Sequence, residues 1–208
     1  MKKTLVIPTL LLLAASAIAQ TTSAPVTPAP ATPAPATPAP ATRVPATPVP
    51  ATPPVIVRNP VSAALRDTLP NRQKNTIAAV EAMPADKFNY KPTPDQMTFG
   101  HLVAHMVEVN YLACSKVAAV PSPKVEEVKE SDSKDKLVSA LKASFDFCSD
   151  TLSGMDDSKM GELTSGPSGQ QISRARFALG IASNWADHYA EAAMYLRLNG
   201  ILPPNAKK

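Results

Sequence analysis

The sequence predicts an all-α domain, a four-helix bundle of up-down-down-up topology, behind a signal peptide and a disordered proline-rich linker. Three observations predict it. Four stretches after residue 58 carry apolar residues at helical spacing. No stretch alternates with period two for long enough to form a strand. Cys114 and Cys148 fall late in the second and third of these stretches. In an antiparallel pair the two cysteines would lie roughly 15 to 18 Å apart along the helix axes. A disulfide needs alpha carbons within about 7 Å, so this bond requires the second and third helices to run parallel. Two separately buried thiols are the other reading of the pair.

The chain opens with Lys2 and Lys3, runs apolar from Leu5 to Ala15 and closes on Ala17-Ile18-Ala19. That is the pattern of a cleaved bacterial secretory signal over residues 1–19, and it implies an exported protein, periplasmic or secreted. Once it is cleaved, no transmembrane helix is expected in the mature chain. Residues 20–58 are low-complexity, with APATP-type repeats, most of the chain's prolines and almost no charge. Such composition buries no core, so a disordered linker of polyproline II character is expected, on the order of 100 Å long.

Residues 59–208 are the expected folded domain. Asn59-Pro60 reads as a cap followed by proline at the first helical position, and Val61, Leu65, Leu69, Ile77 and Val80 carry the helix toward Met83. Pro70 is expected to kink it. The turn-rich stretch from Pro84 to Pro94 leads to a second helix from about Thr98 to Ala118. Pro121 and Pro123 mark a crossover connection. Ser131 is the expected cap of a third helix ending near Ser153, with Leu137, Leu141, Phe145 and Leu152 on its apolar side. A glycine-rich loop follows, and a capping box from Ser168 to Gln171 is expected to start the last helix, which stops at Gly200 before Pro203-Pro204.

The formal net charge of +4 comes from Lys2, Lys3, Arg43 and Arg58, which leaves 17 basic and 17 acidic side chains in residues 59–208. A neutral domain without a basic cluster argues against a nucleic-acid partner. No phosphate loop or catalytic triad is legible.

The only histidines are His101, His105 and His188. At 100° per residue the last helix gathers Phe177, Ile181, Trp185, His188, Ala192 and Tyr195 on one arc, so His188 should face the core, with Asn184 beside it and Glu191 at the rim. His105 falls inside the apolar arc of the second helix and His101 at its edge. Two inward imidazoles on separate helices point to a shared site. Glu191 is a candidate ligand or a carboxylate that orients an imidazole.

The segments MPADKFNYKPTPDQMTFGHLVAHMVEVNYLACS and ADHYAEAAMYLRLNGILPP resemble the DinB-like superfamily of metal-binding four-helix bundles, a likeness spanning essentially Asn59 to Pro204. The resemblance implies one divalent transition metal (zinc, nickel, iron or manganese) held by one histidine of the second helix and an HxxxH pair in the last. His105 and His188 then match the first and final ligands, while Asn184 stands where the middle histidine belongs. His101 or Glu191 would complete the site, or the metal is lost. The resemblance further implies an exported thiol-dependent transferase or hydrolase, with a non-catalytic binding or structural module carrying a degenerate metal site as the alternative. The partner implied is a small molecule of unknown identity, and a homodimer is the oligomer considered.

Overall fold

The computed structural model describes residues 56–206. The expected signal peptide and most of the expected linker lie outside these residues. Four helices build the domain: α1 (Pro60–Ala82), α2 (Phe99–Ala118), α3 (Lys134–Ser153) and α4 (Arg174–Leu198). A short antiparallel pair, β1 (Leu163–Ser165) and β2 (Gln171–Ser173), precedes α4 in the register Leu163↔Ser173, Thr164↔Ile172 and Ser165↔Gln171.

Cross-helix contacts give the direction of each helix. Cys114 and Cys148 form a disulfide with alpha carbons 5.3 Å apart. One turn earlier in each helix, Asn110 donates to Ser144 Oγ at 3.0 Å, so α2 and α3 run parallel. Arg66, near the start of α1, donates to the carbonyl of Leu152, near the end of α3, at 3.3 Å. At the other end Lys134, the first residue of α3, donates to the Glu81 carbonyl at 2.7 Å, which makes α1 and α3 antiparallel. Tyr195 Oη donates to the Met97 carbonyl at 2.7 Å, and Arg174 donates to the Lys116 carbonyl, so α4 runs against α2. The result is an up-down-down-up bundle whose 119–133 connection travels the length of α2.

Three helices begin where a hydroxyl replaces missing backbone bonds. The side chains of Thr98, Ser133 and Ser173 accept from the N–H of His101, Lys136 and Arg176 at 3.0, 3.3 and 3.3 Å. Two expected caps are thereby corrected. Ser133, not Ser131, caps α3, because residue 133 holds the extended backbone a cap requires. The Ser168 to Gln171 capping box does not form, because Gln171 pairs in β2 and the turn closes through Gly169 at φ 78°. The domain fits the all-α expectation, its four helices accompanied only by two three-residue strands.

The cap expected from Asn59 is also different. Asn59 sits at φ 51° and makes no side-chain cap. Asp157 does that work from across the domain, its two oxygens accepting from the N–H of Val61 and Ser62 at 2.9 and 2.8 Å. Partial burial pushes the Asp157 carboxyl up, but the Ser62 and Val61 N–H groups outweigh it and hold the group below its ordinary value. Asp157→Ala should cost about 1–2 kcal/mol, lowering Tm by roughly 3–6 °C. Because the folded value is depressed, this contribution is full above the ordinary carboxyl range and fades as pH falls through the folded value. Melting curves of both proteins should therefore converge in acid; a constant gap would contradict the assignment.

α1 continues through Pro70, which lacks the N–H that would bond the Arg66 carbonyl. The bundle closes over Leu65, Val80, Phe99, Leu102, Leu141, Phe145, Ile181 and Leu196, all buried.

Candidate functional site

α2 and α4 face each other antiparallel, which brings His105 and His188 together with ring centroids 5.1 Å apart, edge to face at 82°. His188 is largely enclosed, its side chain 13% exposed. Both its nitrogens are committed. Glu191 Oε2 accepts from Nδ1 at 2.7 Å. Asn184 Nδ2 stands 2.9 Å from Nε2, and with the proton on Nδ1 that nitrogen accepts from the amide. Positions 184, 188 and 191 share one face of α4 at spacings of four and three, which is why one helix can clamp its own imidazole from both sides.

His105 is half-buried and has no hydrogen-bond partner among the described residues. Burial, followed by the neighbouring His188, pushes its pKa down against the opposing pull of Glu108. His101 does not join the pair. It is exposed and meets Glu130 Oε2 at 3.3 Å, while the Thr98 hydroxyl donates to the same oxygen at 2.8 Å. The Thr98 bond and the nearby His101 hold the Glu130 carboxyl below its ordinary value. Gly100 permits this docking, since a Cβ there would collide with the Glu130 carbonyl.

Beneath the histidines lies Asn110, 1% exposed and on the apolar side of α2. Its Oδ1 accepts from Trp185 Nε1 at 2.8 Å and its Nδ2 donates to Ser144 Oγ, so one amide ties α2, α3 and α4. The Thr76 hydroxyl of α1 is buried without a partner beside a narrow gap that Asn110, Asn184 and His188 also line. On the other side of His105, between α2 and the connection, a cleft of about 730 Å³ opens to solvent. Its walls include His101, His105, Glu108, Tyr111 and residues 125–130. Sequence reading did not find Asn110 or Tyr111; a lone asparagine on an apolar arc was the available signal for the first.

The donor set does not fit a three-ligand metal centre with an open position. Such a centre needs three free lone pairs converging on one point. Here Nε2 of His188 faces an amide N–H, Glu191 is turned to Nδ1 and His101 is turned to Glu130. Among the described residues no group of three or more histidine, cysteine, aspartate or glutamate side chains converges to hold a metal ion.

The model of the DinB superfamily matches residues 69–192, more than half of the chain, and the chain belongs to that superfamily. Its fold is similar to that of a DinB-like protein from Bacillus subtilis, at 15% identity over 66% of this chain and 92% of that one, TM-score 0.55. A DinB-like protein from Bacillus cereus is similar at 12% identity over 68% of this chain and 95% of that one, TM-score 0.57. At these identities the likeness speaks for the fold alone. No curated protein matches the chain.

Proposed function

We propose that the chain is an exported, non-catalytic small-molecule-binding member of the DinB superfamily, in which Asn184 has replaced metal coordination with a hydrogen-bonded imidazole. The observation that carries this reading is the 2.9 Å approach of the Asn184 amide nitrogen to His188 Nε2. It uses the lone pair that a metal would take. Glu191 then fixes the ring instead of ligating, and His105 is left as a single free imidazole at the edge of the cleft. A thiol-dependent transferase or hydrolase working through a divalent ion would need a third donor that this constellation lacks.

Export is part of the same proposal. The basic and apolar N-terminus supports it, and so does the Cys114–Cys148 bond, since disulfides persist in oxidising compartments. Among the described residues no helix is long and apolar enough to cross a membrane.

Metal analysis of the purified protein, with His105→Ala and His188→Ala beside it, tests the reading. It predicts less than about 0.2 equivalents of zinc, nickel, iron or manganese, with no change in either variant, whereas a site with three protein ligands holds its ion tightly. One equivalent in the parent, lost in both variants, would refute it.

A further inference from the structure

We propose that the outer face of α4 packs antiparallel against α4 of a second copy of this chain. This pairing does not depend on the histidine site. Among the described residues, α1 and α3 expose no large hydrophobic side chain and α2 exposes Leu112 alone, whereas α4 exposes Leu179, Met194 and Leu198. Leu179 is 70% and Leu198 55% exposed, and Leu202, just beyond the helix, is 61% exposed. At 100° per residue Met194 and the exposed Ala190 stand at the middle of this face, opposite the buried Ile181, Trp185 and Ala192, with Leu198 and Leu179 on its two flanks. A stripe of this kind leaves apolar area in water unless another surface covers it.

Charge identifies that surface as the same helix reversed. Asp187 and Arg197 are exposed on this face, and neither side chain has an ion-pair or hydrogen-bond partner among the described residues. They lie roughly 15 Å apart along the axis at the rise of an α-helix. When two such helices pack about a two-fold axis level with Ala192, Asp187 of each copy stands level with Arg197 of the other, and one symmetry operation creates two ion pairs. The same register sets Met194 against Ala190, large against small, and brings Leu198 level with Ala186. A parallel pair would instead set Asp187 against Asp187 and Arg197 against Arg197, which like-charge repulsion opposes.

A single helix pair lies at the small end of the range for specific interfaces, so the dimer should form at micromolar concentration and fall apart on dilution. Sedimentation velocity of the disulfide-bonded full chain from about 1 to about 300 µM tests this, because the extent of association follows concentration. The mass should rise from one chain toward two. Met194→Glu/Leu198→Glu, at exposed positions that leave the circular dichroism and Tm of the parent intact, should stay monomeric throughout. Asp187→Arg and Arg197→Asp should each weaken association about tenfold or more, since each sets like charges level. The combined Asp187→Arg/Arg197→Asp variant should return to within about threefold of the parent, because the reversed pairs attract again. A parent that is monomeric at every concentration, a dimer that survives in Met194→Glu/Leu198→Glu, or charge reversals without rescue would each overturn the proposal. So would a monomeric parent that sediments with phosphatidylglycerol vesicles, which would give the face to a membrane surface.

Discussion

Asn184→His is expected to create a zinc or nickel site that the parent lacks, raising affinity by roughly two orders of magnitude or more, because it supplies the missing third donor. Residue 184 lies one turn before His188 on the same face of α4, and its side chain already touches Nε2 at 2.9 Å. An imidazole there removes the N–H that occupies this lone pair and adds a nitrogen of its own. His105 faces the pair from α2 with its ring centroid 5.1 Å from that of His188, and Glu191 continues to orient His188 through Nδ1. Asn184→Ala is the control: it frees Nε2 without adding a donor, so its affinity should stay near that of the parent. Calorimetric titration of all three proteins decides the matter. Equal affinity of Asn184→His and the parent would show that the two helices do not hold positions 105, 184 and 188 in ligating geometry.

Replacing both cysteines, Cys114→Ala/Cys148→Ala, should cost about 3–4 kcal/mol and lower Tm by roughly 10 °C. The bond joins residues 34 apart in sequence and bridges two parallel helices whose only covalent route is the long connection. Without it, the unfolded chain gains the freedom of that whole segment. Both cysteines are 0% exposed, so their replacement also leaves small gaps between α2 and α3. Urea unfolding of the oxidised protein, the reduced protein and the double variant measures the effect. A midpoint shared by all three would mean that the bundle does not depend on this closure.

The features legible in the sequence were those carried by local spacing. The α2 boundary followed from Thr98 before a periodic run, and the disulfide argument gave the parallel pair because helix rise and bond length are both fixed. The inward direction of His105 and His188 followed from their positions on apolar arcs, and Asn184 and Glu191 were legible as neighbours of His188 because i, i+3 and i+4 positions share a helix face. Distant or short-range irregular features escaped. Asp157 caps α1 from 96 positions away, which no reading around Asn59 could supply. The β1–β2 hairpin has three residues on each side, too few to show a period. The cleft escaped because one of its walls is an aperiodic connection, and only folding brings Glu126 and Glu127 opposite Glu108 and Tyr111. His101 was visible as peripheral, but its partner Glu130 lies on that same connection.

The central claim is that the His188 ring is held by two hydrogen bonds instead of a metal. Long-range proton–nitrogen NMR of His188, recorded before and after zinc addition, tests it most directly, because protonated, hydrogen-bonded and metal-bound ring nitrogens resonate apart. The account predicts the proton on Nδ1 and an accepting Nε2, unchanged by zinc; a zinc-dependent shift of Nε2 to the metal-bound position would contradict it.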